Sequence, residues 1–166
     1  MSCTESFYSN FLKQAGYSTT EIGFLWAVGV MAEIIMFAIA HIFFKRFSWR
    51  LMVSICLILT ALRWFMVGSF PQIFAIQFFA QTIHAFSFGL FHLIAMRIIF
   101  QNFSLGQQGR GQALYSTMWG LGVASGSILA GHYWHSLSGE HIFILAGCAV
   151  LLGLGFVRYL PKEVQA

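Results

Sequence analysis

The sequence IGFLWAVGVMAEIIMFAIAHIFF, at residues 22–44, decides the structural class of this protein. It is an apolar run of about twenty residues, which is the length that an α-helix needs to cross roughly 30 Å of hydrocarbon at about 1.5 Å per residue. An acidic residue, Glu33, interrupts the run at its centre. The run therefore predicts a membrane-spanning helix with an ionisable group at mid-depth.

Further apolar runs extend this pattern to the C-terminus. The composition agrees, because 58% hydrophobic and 8% charged residues leave too little polar surface to coat a water-soluble globule of this size. The segment 1–16 has apolar residues at helical spacing but is too short and too polar to span a bilayer, and it is typical of the end of a helix whose beginning is missing. We predict an all-α, polytopic transmembrane helix bundle in a lipid bilayer, with full spans at residues 22–44, 51–68, 73–95, 113–134 and 141–160.

The basic residues indicate the topology. They collect after the first and third spans and at the C-terminal end: Lys45, Arg46, Arg50, Arg97, Arg110, Arg158 and Lys162. The opposite ends contain only Lys13. Because cytoplasmic loops carry an excess of Lys and Arg, we predict a cytoplasmic C-terminus. This distribution also explains the net charge of +4, so that no nucleic-acid partner is predicted.

Ionisable residues within the spans are the main functional signal. Glu33 and His84 lie at the centres of the first and third spans, and Arg63 lies about 5 Å nearer the outside in the second. A charged side chain at mid-membrane costs on the order of 2.5 to 3.5 kcal/mol and seldom occurs there without a use. Two interpretations remain open: binding of a solute or proton, or a structural ion pair that fixes helix packing.

The third span has a polar stripe. Gln77, Gln81, His84, Phe88 and His92 follow steps of four, three, four and four residues, so they project from one face of a helix. Glutamine and histidine suit a water-filled pathway for a polar solute or a proton. The alternative is interhelical hydrogen bonding, worth about 0.6 kcal/mol per contact.

Two further features allow two interpretations each. Trp26, two helical turns before Glu33, suits either an interfacial aromatic belt or the wall of a site for a ring-bearing solute. Small residues four apart in the fourth span, such as Gly122 with Gly126 and Ser127 with Gly131, predict close helix packing. That packing is compatible with a sliding helix or with a static one.

No enzyme, metal site or cofactor is predicted. The sequence contains no phosphate-binding glycine loop, HExxH, CxxC or nucleophile elbow. A haem-binding helix bundle is the competing class, because the chain has six histidines. Its weakness is placement: His132, His135 and His141 lie near the outer surface and His41 near the inner one, which leaves His84 without an obvious partner at its depth.

Several motifs together resemble the C-terminal six-helix half of the phenylpropionate permease family, which belongs to the major facilitator superfamily and is related to the lactose permeases and the nucleoside:proton symporters. The similarity covers nearly the whole chain, in order and with the expected spacing, and it is specific for the family but not for the substrate. The residues that carry it are Ala15-Gly16-Tyr17-Ser18, Ile22-Gly23, Leu25-Trp26, Gly29-Val30, Ala32-Glu33, Arg63-Trp64, Gln81, His84, His92, Met96-Arg97, Gln112-Ala113 and Tyr115-Ser116.

The resemblance implies proton-driven import of a small organic solute across the bacterial inner membrane. Glu33, Arg63 and His84 match the acid, arginine and histidine that form the coupling region in helices eight, nine and ten of the family. An aromatic carboxylate as solute would have Arg63 as its counter-charge and Trp26 as a stacking surface. On this basis residues 1–16 correspond to the end of helix seven, and the five full spans to helices eight to twelve.

Length is where the chain departs from the family. Major facilitator transporters build their site between two six-helix halves, whereas residues 1–166 correspond only to the C-terminal half. We therefore expect a fragment that lacks its N-terminal six-helix half. The alternative is a half-transporter that assembles with a separately encoded or identical partner.

Overall fold

The computed structural model describes residues 3–134 and 136–160. A π-helical turn, Ala85–Leu90, joins α4 to α5, and a 3-10 segment, Gly153–Tyr159, extends the last helix. No β-strand occurs among these residues, so the predicted all-α class is confirmed. The arguments made above for His135 and Lys162 lie outside the described residues. The helices are α1 Cys3–Gln14, α2 Thr19–Arg46, α3 Trp49–Ser69, α4 Phe74–His84, α5 Phe91–Asn102, α6 Gln108–Tyr133 and α7 Gly139–Leu152.

Local chemistry defines the sharp turn between α1 and α2. Gly16 adopts a φ of 97°, and the backbone N–H of Tyr17 donates to the carbonyl of Leu12, which is the Schellman pattern that ends a helix. Two residues later Ser18 caps α2. Its hydroxyl accepts from the N–H of Glu21, while the Glu21 carboxylate accepts from the N–H of Ser18 at 2.8 Å, a capping box.

Within the described residues, four helical stretches are long and apolar enough to cross a membrane: Thr19–Arg46, Trp49–Ser69, Phe74–Asn102 and Gly139–Tyr159. They coincide with the predicted spans at 22–44, 51–68, 73–95 and 141–160. The predicted span at 113–134 lies in α6, which has sufficient length, but its many glycine and serine residues keep it outside the same limit of hydropathy. Its crossing of the bilayer stays a prediction.

Helix α3 is the centre of the bundle. It packs along most of α7 and also contacts α4 and the π-helical turn, while α2 packs against α4 and the same turn. One apolar cluster lies around Met52, Cys56 and Leu90, and a second around Tyr8 and Trp64. Helix α6 is attached at its edges, to α1 and to α5. Most of its large apolar side chains are exposed, as lipid-facing residues are.

Two glycines allow α3 and α7 to approach closely. A Cβ atom at Gly68 on α3 would lie 2.8 Å from the backbone oxygen of Glu140, and one at Gly147 on α7 would lie 2.8 Å from the ring of Phe65. Membrane helices associate mainly through such close van der Waals packing, because lipid is as apolar as the side chains themselves. The α3–α7 pair is therefore the most tightly joined part of the fold.

We predict that Gly68→Ala lowers the free energy of unfolding by about 1–3 kcal/mol, the usual cost of overpacking, because the new methyl group meets backbone rather than a flexible side chain. Thermal unfolding of the purified chain in detergent would measure the loss. Gly23→Ala is the matched control, since no atom lies within 4 Å of its added Cβ. Equal melting temperatures for both variants and the parent would contradict the close approach at Gly68.

Candidate functional site

The π-helical turn organises the site. It begins directly after His84, and Gly89 within it packs against α2, where an added Cβ would lie 3.4 Å from Phe37 and 3.7 Å from Glu33. A π-helical turn breaks the regular hydrogen-bond pattern of an α-helix and is frequent at functional sites. Here it brings the end of α4 and the middle of α2 together.

Glu33 of α2 and His84 of α4 form a close pair. Oε1 of Glu33 lies 2.6 Å from Nε2 of His84, and the two side chains are 17% and 7% exposed. The separation is that of a strong hydrogen bond with a shared proton between an acid and an imidazole. A pair of this kind can gain or lose a proton without leaving an isolated charge in the apolar interior.

Arg63 of α3 lies on the other side of the same turn. Its side chain is 2% exposed, its Nη1 is 3.5 Å from the hydroxyl of Ser87, and its guanidinium carbon is 4.4 Å from the ring centre of Trp64. Ser87 in turn donates to the carbonyl of His84 at 3.1 Å. The turn is thus the point where the residues predicted from three different spans meet.

A cavity of about 680 Å³ opens beside this turn, between α3, α6 and α7. Its wall contains Arg63 and His84, together with the hydroxyls of Thr60 and Ser87. The remaining wall is apolar, with aromatic side chains from Trp64, Phe88, Phe91, Trp119 and Tyr133. An apolar cavity with a few polar groups at one end is typical of a site for a small organic ligand.

The two glutamines of the predicted stripe lie apart from this cavity. Gln77 accepts a hydrogen bond from the hydroxyl of Tyr8 at 3.3 Å and donates to the carbonyl of Phe70 at 3.0 Å, so it joins α1 to the start of α4. Gln81 is buried against α2, and its Oε1 would be 3.1 Å from a Cβ at Gly29. Sequence reasoning missed Tyr8, because α1 showed only apolar spacing and its polar hydroxyl was not weighed.

Trp26 and His92 flank the site without forming part of the cavity wall. The indole N–H of Trp26 donates to the hydroxyl of Ser9 at 2.9 Å, and its ring meets that of Tyr8 edge-on, so it packs on α1. Nδ1 of His92 lies 3.2 Å from the hydroxyl of Tyr115 on α6. Tyr115 is a second polar contact that was not predicted.

The other described histidines are elsewhere. His41, His132 and His141 have exposed side chains, away from the Glu33–His84 pair. Among the described residues there is also no group of three or more histidine, cysteine or acidic side chains that could hold a metal ion.

Apolar helices of membrane-spanning length, gathered around buried ionisable residues and a cavity, define the class of polytopic membrane transporters. The profile of the MFS_1 like family matches residues 1–145. The chain therefore belongs to the MFS_1 like family of the major facilitator superfamily, and it is an integral membrane protein of a transporter family rather than an enzyme.

Comparison with curated proteins agrees with this assignment. Over 168 residues the chain is 33% identical to the "Probable 3-phenylpropionic acid transporter" of Escherichia coli (strain K12). The alignment covers 96% of this chain and 41% of that protein, so the chain spans about two fifths of its relative's length. The predicted resemblance to phenylpropionate permeases is confirmed. No solved structure matches the chain.

We predict that Glu33 and His84 stabilise the fold as a coupled pair. In a double-mutant cycle with Glu33→Leu and His84→Leu, each single change should cost about 1–3 kcal/mol of unfolding free energy, because each removes one partner of a buried polar contact. The double variant should recover at least about 0.5 kcal/mol of the summed loss. Unfolding in mixed detergent micelles measures all four proteins.

Glu140→Leu, which changes an exposed acid at the start of α7, is the control and should show no coupling to His84→Leu. If the Glu33 and His84 losses were also simply additive, the short contact between their side chains would have no energetic weight.

Proposed function

We propose that this chain is the proton-coupling half of a symporter that imports a small organic acid, with an aromatic carboxylate as the best candidate. The observation that carries the proposal is the Glu33–His84 contact of 2.6 Å beside a cavity whose wall contains Arg63. It places a group that exchanges protons next to a fixed cation. The name of the Escherichia coli relative, a probable transporter of 3-phenylpropionic acid, supports the choice of solute.

The charge of the solute gives a physical reason for coupling. Moving one elementary charge across the membrane potential is worth about 2.3 kcal/mol per 100 mV. A carboxylate that enters a negative cell interior works against this potential, whereas a carboxylate accompanied by one proton is electrically neutral overall. The Glu33–His84 pair would take the proton on the outer side and release it on the inner side.

The cavity wall suits both ends of such a solute. Arg63 supplies a positive charge for the carboxylate, and an arginine is able to donate two parallel hydrogen bonds to it. The rings of Phe88 and Trp119 lie 5.8 Å apart at 69° and offer faces and edges for an aromatic group. In this arrangement the acid end of the solute lies nearest the Glu33–His84 pair, so binding of the anion and protonation of the pair favour each other.

The remaining half of the pathway is also part of the proposal. Transporters of this superfamily place the solute between two six-helix halves that rock against each other, and this chain aligns with 41% of its relative. We infer that an N-terminal six-helix half works with it, that α6 crosses the bilayer as a fifth full span, and that the C-terminus is cytoplasmic in a bacterial inner membrane.

The test is uptake of labelled 3-phenylpropionate by cells that express this chain, either alone or together with the N-terminal half of the Escherichia coli relative. We expect uptake that a protonophore abolishes. Glu33→Gln and His84→Ala should each reduce accumulation by at least about tenfold, the scale of losing a positioned proton-transfer group. Arg63→Lys should raise the KM, because lysine lacks the planar fork that binds a carboxylate.

Glu140→Gln serves as the control, because it removes an exposed acid outside the cavity and should leave uptake at the parental level. Uptake that persists with a protonophore would reject proton coupling. Parental uptake by both Glu33→Gln and His84→Ala would assign this pair a structural role instead.

A further inference from the structure

A column of rings follows the π-helical turn. The imidazole of His84 stacks on the ring of Phe88 with centroids 5.7 Å apart and planes 12° apart, and Phe88 stacks on His92 at 6.2 Å and 8°. In a regular α-helix, two steps of four residues would rotate side chains by roughly 80°. Because a π-helical turn takes more residues per turn, it removes much of this rotation and keeps the three rings aligned.

Helix α6 meets this column through two side chains. The hydroxyl of Tyr115 lies 3.2 Å from Nδ1 of His92, and Trp119 contacts Phe88 edge-on at 5.8 Å. Tyr115 and Trp119 also contact each other, with centroids 6.2 Å apart. We call these four residues, Phe88, His92, Tyr115 and Trp119, the α5–α6 clasp.

The clasp lies at one end of the cavity. Phe88 and Trp119 belong to the cavity wall, whereas His92 and Tyr115 come one helical turn beyond it, towards the end of α5 and the start of α6. That end of both helices is cytoplasmic in the predicted topology. Since α6 is otherwise attached mainly to α1, the clasp is its principal connection to the helix that contains His84.

We propose that His92 and Tyr115 are gating residues whose hydrogen bond holds the cytoplasmic end of the cavity closed. The inference rests on the proposed function, because it takes the cavity as the route of the solute. Opening requires α6 to move away from α5. The middle of α6 presents Gly122 and Gly126 to the cavity, so no large side chain interlocks there to resist such a movement.

The test measures access to the cavity directly. A reporter cysteine at Gly122 fits without displacing any neighbour, since no atom lies within 4 Å of an added Cβ. Cys3→Ser and Cys148→Ser remove other reactive thiols, while Cys56 is fully buried and stays. A membrane-impermeant maleimide is applied to inside-out vesicles, which expose the cytoplasmic side. Tyr115→Phe should accelerate labelling roughly twofold to tenfold, the effect of losing one hydrogen bond.

Three further variants separate gating from general loosening of the fold. His92→Leu should accelerate labelling as Tyr115→Phe does, and it gives an independent answer if Tyr115→Phe fails to insert. His92→Gln keeps a hydrogen-bonding group and should stay nearer the parental rate. Tyr17→Phe removes a buried hydroxyl that has no hydrogen-bond partner in the described part of the chain, and it should have no effect.

The proposal is overturned if Tyr115→Phe and His92→Leu label at the parental rate, or if Tyr17→Phe accelerates labelling equally. Because labelling requires neither uptake nor a proton gradient, the result is independent of whether the chain transports 3-phenylpropionate. Failure of the uptake experiment and failure of the gate are therefore separate outcomes.

Discussion

The cost of placing ionisable side chains in a membrane governs this structure. Glu33, Arg63 and His84 each come from a different helix, and each would be unfavourable alone in hydrocarbon. The fold brings them together around a single π-helical turn, with Glu33 against His84 and Arg63 beside Ser87 and Trp64. The packing of α2, α3 and α4 is therefore constrained by the need to keep these groups in contact with polar or aromatic neighbours.

The helices around this centre are joined unequally. Helices α3 and α7 are locked by close approach at Gly68 and Gly147, where even one methyl group would collide with a neighbour. Helix α6 has many small residues as well, but no atom lies within 4 Å of a Cβ added at Gly120 or Gly122. Small residues thus have opposite consequences in the two places: tight packing in α3 and α7, and open space in α6.

Sequence reasoning anticipated the parts of the structure that depend on length and polarity. Apolar runs of membrane-spanning length coincide with α2, α3, the α4–α5 helix and α7, and the rarity of charge within them pointed to Glu33, Arg63 and His84. It did not anticipate the π-helical turn, because a change of hydrogen-bond register leaves no mark on hydropathy. The same limit applies to Tyr115, whose partner His92 is known only once α6 has been placed against α5.

Trp26 illustrates a related limit. Helical spacing put it on the same side of α2 as Glu33, but its indole N–H has a partner, Ser9, on a helix that is distant in the pattern. Spacing predicts the direction of a side chain and does not predict which neighbour occupies that direction.

The π-helical turn also acts as a phase shift within one long helix. Residues before His84 are in register with α2 and α3, and residues after Leu90 are in register with α6, because the turn holds one residue more than an α-helix would. Removing that residue would turn α5 by about 100° about its axis. The helix would still be long and apolar enough to cross the bilayer, yet His92 would face away from α6. Chain length within residues 85–90 is thus constrained more strictly than the identity of most side chains in that segment.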